Sequence, residues 1–303
     1  MIKITSIEST QEETFYYKMR RVLGHSFSGL RDFWRIYRRN RASVIGLIII
    51  FALLFMAIFS SYITSDPYLM EYSRFLPPSQ EHPMGTDNLG RDVLSRVIWG
   101  ARTSLQVGIY STAISLILGL TIGGISGYLG GSIDNLLMRF TDLYLSLPYF
   151  FLLLLIAIFF GANIRNVTIT IGVLSWPFMA RLARSEILSV KERTYVEAAK
   201  VMGAGHTRIL LGHILPNSIH SVMVAASMRI SSAILQEAYL SFLGVGDPNV
   251  VSWGQMLRRS TQHFIHAPWM SFFPGFFIFL ALVGFNLIGD GLNDALNPRL
   301  RER

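Results

Sequence analysis

Two fully charged side chains, Arg229 and Glu237, stand in the otherwise apolar stretch 217–243. Read as a membrane-crossing helix, that stretch puts Arg229 about twelve residues from its start, near mid-membrane. A guanidinium facing lipid there costs several kcal/mol or more. Glu237 follows roughly 80° round the helix and about 12 Å further along, a long reach for a direct ion pair. Two readings stay open. Each charge pairs with a neighbouring helix and serves packing, or one or both line a polar path through the membrane. A second group lies in a polar stretch just before it, Glu197-Ala198-Ala199, then Gly203, then Ile214-Leu215-Pro216. Good helix formers surround the two alanines, and Gly203 can take the left-handed conformation that ends a helix. Pro216 suits the first turn of the next helix. The expected local fold is two short helices, the second at about 207–213, with the first able to seat in a cleft on a partner. His263 and His266 could face a metal, but two histidines without a third ligand read as a surface pair. Walker A, His-Glu-x-x-His and Gly-x-Ser-x-Gly patterns are absent, and so are cysteines.

The elements that must position these residues are apolar. Of 303 residues 51% are hydrophobic and 15% charged, with mean hydropathy +0.42, so the chain reads as all-α and polytopic in a membrane. Six spans are expected: 43–63, 103–133, 143–163, 166–181, 217–243 and 267–289. The fourth is short, and Arg181 and Arg184 are expected to snorkel at its end. Pro148 lies near the start of the third span, and Pro177 suggests a kink in the fourth. Ser115, Gly119, Gly123, Gly127 and Gly131 recur every four residues, a stripe for close helix packing. Phe33, Trp34 and Tyr37 among arginines suggest a helix at the membrane surface, rings among lipid headgroups, and a nucleic-acid role is set aside. Gly85-Thr86-Asp87 reads as a turn into a helix capped by Thr86 or Asp87, an elbow lying on the membrane.

Charge orients the chain. Nineteen of the 27 Lys and Arg fall in the tails and the loops around residues 139 and 181–208, and seven in the alternate loops. This places both termini and the loop 188–212 in the cytoplasm. The expected division is a tail with its interfacial helix at 1–42, a first helix and external loop at 43–101, a core at 102–298 and a short tail at 299–303.

Glu197, Ala198, Ala199, Gly203, Ile214, Leu215 and Pro216 together resemble the signature of permease subunits of binding-protein-dependent ABC importers. Four further stretches agree with the C-type permease of oligopeptide, dipeptide and nickel importers. They run through Arg38-Arg39-Asn40, from Gly85 to Arg96, from Leu240 to Gly254 and from Asn286 to Pro298. The resemblance implies one N-terminal helix plus a five-helix core in the cell membrane, paired with a homologous B-type permease. It implies two cytoplasmic ATPases that hold the ATP and magnesium, an external substrate-binding protein, and no catalysis or cofactor on this chain. The residues Glu197, Ala198, Ala199, Gly203, Ile214 and Pro216 would couple to the ATPases. Peptide is the implied cargo, with nickel or sugar oligomers as alternatives. A channel or secondary transporter would call instead for an internal repeat, discontinuous helices or a filter motif, which the sequence does not display.

Overall fold

The computed structural model describes residues 33–296. The expected tail through residue 32 and the last residues, 297–303, lie outside that range. Residues 33–39 are helical, and helix α1 (Arg41–Ile58) follows at once. Asn40 caps it, its side-chain oxygen accepting from the backbone N–H of Ala42 at 3.1 Å and Ser43 at 3.4 Å. After a long irregular segment come α2 (Val93–Leu129), α3 (Gly131–Ser146), α4 (Tyr149–Phe160), α5 (Ile164–Leu174) and α6 (Trp176–Lys191). Then follow α7 (Thr194–Val201), α8 (Leu215–Leu243), α9 (Trp253–Ser260) and α10 (Trp269–Leu296). Among the described residues the lone β feature is the isolated Thr86–Asp92 bridge.

The faces are sorted as in a membrane bundle. Along α1 the exposed residues are Ile45, Ile48, Phe51, Phe55 and Ile58, while Ser43, Gly46, Ile50, Leu53 and Ala57 point inward. Large apolar side chains dominate the outward face, while small or polar ones join Ile50 and Leu53 against the other helices, an arrangement a hydrocarbon solvent allows. The small-residue stripe of α2 does pack. A Cβ on Gly119 or Gly123 would collide with Met179 or Ala180 of α6, and one on Gly127 would lie 2.9 Å from the Arg184 carbonyl. Gly131 stands apart from the stripe. With Gly130 it takes positive φ, 58° and 67°, and turns the chain into α3.

Several expectations need correction. The expected elbow is the first part of α2 itself, a helix of 37 residues. Its cap is Asp92, which accepts from Ser95 N at 2.8 Å, not Thr86 or Asp87. Those two are spent inside the preceding turn, where Thr86 accepts from Leu76 N and Asp87 binds Arg91. Nor do the 33–37 rings all sit among headgroups. Tyr37 is buried against Gly291 of α10 and donates to the Ser43 carbonyl.

Span count differs most. Among the described residues four helical runs are long and apolar enough to cross a membrane, 41–58, 93–129, 206–243 and 269–296. The third expected span, 143–163, straddles the break between α3 and α4, which are bent by 83°. Pro148 explains the break. It pushes Leu147 to an extended ψ of 139° and contributes no N–H. Taking that pair as one span raises the count to five. The fourth is likewise divided, into α5 and α6, which meet at Ser175, and Pro177 falls in the first turn of α6 rather than mid-helix. The bundle therefore does contain discontinuous helices. Arg181 and Arg184 of α6 do not reach out freely. Arg181 pairs with Asp142, and Arg184 holds Asp134 through two 2.5 Å bonds, both carboxylates being on α3.

Candidate functional site

The polar stretch after α6 folds as a clamp. Helix α7 buries Val196 and Ala199, three residues apart and so on one face, and Val196 packs with Ile187 and Val190 of α6 and Ile209 and Ile214 beyond. Its other face presents Glu197, Ala198 and Lys200, with Val201 89% and Met202 80% exposed at its end. The turn that closes it is a Schellman motif. Gly203 has φ 79°, its N–H bonds the Lys200 carbonyl at 3.0 Å, and Ala204 N–H bonds the Ala199 carbonyl at 3.0 Å. A lone glycine meets that geometry without strain.

The second short helix expected at 207–213 is not a separate element. His206–Ile209 is α-helical, Leu210–Ile214 widens to a π-turn, and the chain runs straight into α8. Pro216 supplies the reason. It has no N–H for the Gly212 carbonyl and its ring crowds that oxygen, so the turn before it opens. Leu215 N–H then bonds back to Leu210, and the Asn217 side chain satisfies the His213 carbonyl at 2.6 Å. Ile214 is buried and Pro216 exposed. Tyr128, at the end of α2, ties the clamp down. Its hydroxyl meets His206 Nδ1 at 2.9 Å, and Lys191 donates to its carbonyl at 2.7 Å.

Arg229 and Glu237 do not meet, and their surroundings differ. Glu237 is fully buried. Its oxygens accept from Ser104 at 3.2 Å and Ser241 at 2.6 Å, and Ser104 in turn accepts from Trp253 N–H at 3.4 Å. The carboxyl thus fastens the short helix α9 to α2 and α8. Arg229 is half-buried and donates to Ser175, the residue at the α5/α6 break. Ser175 donates to Ile171 at 2.6 Å and lies 3.2 Å from the Tyr149 hydroxyl, which donates to Gln236 at 2.8 Å. Tyr149 begins α4 just after the other break, and Tyr144 before it donates to the Leu174 carbonyl at 3.2 Å. Both breaks therefore converge on the Arg229–Gln236 face of α8. Among the described residues Arg229 has no carboxylate within 4 Å. Ser175, Tyr149 and Gln236 escape sequence reasoning because each is ordinary in type. Pro148 and Pro177 were the signals that could have led to them.

His263 packs edge-on against Phe75, 5.1 Å between centroids, while His266 is exposed. Among the described residues no three His, Asp or Glu converge as a metal site.

Residues 119–302 match the family described as "Binding-protein-dependent transport system inner membrane component". Residues 28–78 match the "N-terminal TM domain of oligopeptide transport permease C". The chain is 41% identical over 274 residues to the dipeptide transport system permease protein DppC of Alkalihalophilus pseudofirmus, covering 89% of this chain and 90% of that protein. It is 37% identical over 282 residues to the oligopeptide transport system permease protein OppC of Bacillus subtilis, covering 91% and 92%. With the glutathione transport system permease protein GsiD of Pectobacterium atrosepticum it shares 38% over 277 residues, covering 89% and 91%. Among solved structures, a chain of the inward-facing MetNI methionine ABC transporter has the same fold, with TM-score 0.56 and 18% identity, covering 68% of this chain and 96% of that one. The chain is a multi-pass membrane protein and belongs to the inner-membrane permease components of binding-protein-dependent ABC importers.

Proposed function

We propose that this chain forms half of the translocation path of an ATP-driven importer of di- or oligopeptides. A homologous permease completes the path, two cytoplasmic ATPases hydrolyse ATP, and an external substrate-binding protein delivers the peptide. Both termini and the α7 clamp face the ATPases. One observation carries the reading. Helix α7 is anchored by Val196 and Ala199 yet offers Glu197, Ala198, Val201 and Met202 to a partner, on a short element joined by the Gly203 turn to the helical run that leads into α8. ATP binds the closed ATPase pair more tightly, and α7 carries that difference in free energy into the bundle. Ala198 lets the partner approach closely, Gly203 fixes the turn, and Ile214 and Pro216 set where the clamp joins α8.

Arg229 lines the path in this reading, because it keeps spare donors and no carboxylate partner at the two helix breaks. Glu237 contributes by holding α9 rather than by touching cargo. The relatives' names, dipeptide and oligopeptide permeases, support a peptide cargo. The test is reconstitution of the four-subunit complex with its binding protein in proteoliposomes. Peptide uptake should require ATP and all subunits, and should fall at least tenfold in Arg229→Ala with assembly intact. Uptake without ATPases would overturn the reading, and unchanged uptake in Arg229→Ala would remove that residue from the path.

A further inference from the structure

The stretch from Gly85 to Arg96 has no part in the coupling clamp. It lies at the other end of α8, which at 29 residues is about 43 Å long. Gly85 and Gly90, both at φ 74°, fold it into a tight hairpin that buries Asp87. One Asp87 oxygen accepts from the backbone N–H of Leu89 and Arg91. The other accepts from Arg91 Nε at 2.7 Å and has Arg96 Nε at 3.7 Å. A single carboxylate thus answers two buried guanidinium groups.

The last turn of α9 adds an exposed arginine, Arg258, and a half-buried one, Arg259. Among the described residues neither has a carboxylate within 4 Å. Asp247, the next candidate, spends its oxygens on the backbone of Ile164 and Asn249. Arg259 shares a small void with Asp87 and Arg96. Burial, then the neighbouring Arg91 charge, push its guanidinium below the usual range. Beside it opens a cavity of about 280 Å³ lined by Asn88, Gln255, Arg258, Arg259, Gln262 and His263. The Asn88 amide oxygen is buried with no hydrogen-bond partner among the described residues. Phe264 and Ile265, 61% and 87% exposed, follow next in the chain.

Excess positive charge asks for an anion. The orphaned amide oxygen asks for a donor, and the exposed rings and aliphatic carbons ask for an apolar contact. An acidic loop of a protein supplies all three through a carboxylate, a backbone N–H and its flanking side chains. We propose that this cavity is the socket for an acidic loop of the external substrate-binding protein. The proposal rests on the reading above that such a protein delivers the cargo.

The experiment uses the assembled importer in phosphatidylcholine nanodiscs and the binding protein that stimulates its ATP hydrolysis. Affinity is measured at 50 and 300 mM salt. Arg258→Gln with Arg259→Gln, checked for assembly by co-purification, should weaken binding at least tenfold and flatten its salt dependence. If that variant does not assemble, Gln262→Glu, which adds a repelling charge at the exposed rim, should weaken binding several-fold. Affinities within twofold of the unaltered importer would overturn the socket. So would an effect confined to discs containing phosphatidylglycerol, which would assign the cavity to a lipid phosphate. If the unaltered importer moves peptide with no external protein, the functional reading falls and takes the socket with it.

Discussion

The two ends of α8 are held by opposite means. At its start, the α7 clamp rests on a small apolar cluster, and its glycines are uncrowded. A Cβ on Gly203, Gly205 or Gly212 would meet nothing within 4 Å. At its far end, α9 is locked through buried polar groups. Trp253 is fully buried and donates from its ring to the Val97 carbonyl at 3.0 Å, and Glu237 ties Ser104 to Ser241. There a Cβ on Gly254 would lie 2.6 Å from the Ala238 backbone. One end leaves the outer face of α7 exposed on a small apolar seat, and the other locks α9 into the bundle. A hydrophobic clamp can shift as a body, whereas a buried hydrogen-bonded lock loses stability when any partner leaves.

Substitutions can break this contrast. The largest effect is expected for Gly254→Val. Overpacking against backbone that cannot yield costs about 1–3 kcal/mol or more. The protein should vanish from membranes, and normal abundance on immunoblot would refute the tight seam. Next comes Glu237→Ala, which strands the Ser104 and Ser241 hydroxyls at a cost of about 1–3 kcal/mol. Complex yield should drop several-fold, while Glu237→Gln, which keeps the acceptor oxygen, should restore most of it and transport normally. Failure of transport in a well-assembled Glu237→Gln complex would return that residue to the translocation path.

At the clamp the expectation is reversed. Glu197→Ala should change stability by only about 0.5 kcal/mol, as exposed positions do, and Gly203→Asp by about 1–2 kcal/mol because φ 79° strains any side chain, and both should leave assembly alone. ATP hydrolysis should nonetheless lose its link to uptake, seen as a fallen ratio of peptide imported to phosphate released in proteoliposomes. Coupled transport in both variants would refute the role given to α7. The smallest effect is expected for Gly205→Ala, whose site is open and whose φ of −67° suits any residue. A large loss of uptake there would reveal a close approach by a partner at that backbone.

Much of this protein was legible in its residues because a membrane leaves few choices. Long uncharged runs must be helices, because a hydrocarbon solvent leaves the backbone no other way to satisfy its hydrogen bonds. The Gly203 turn could be read because a helix stop followed by re-entry needs a left-handed residue. The α2 stripe could be read because four-residue spacing returns small side chains to one face. The breaks at Leu147 and Ser175 were harder. Pro148 announced a disturbance, but its 83° size depends on what Tyr144 and Tyr149 find to bond on the far side.

The sequence by itself determined the membrane class, the position of the clamp and the charges that needed explaining, since these follow from local composition and spacing. Tertiary structure alone decided what those charges do. Arg229 and Glu237 lie eight residues apart on one helix, yet one meets a helix break and the other a closed set of hydroxyls. Ser241 is local to Glu237, but Ser175 reaches Arg229 from 54 residues away and Ser104 reaches Glu237 from 133, distances no local pattern spans. The same holds for Asp87, whose sequence reads as a helix cap but whose fold makes it the lone carboxylate of an arginine cluster. Burial of a charge forces it to find a partner, and only the packed chain says which one is within reach.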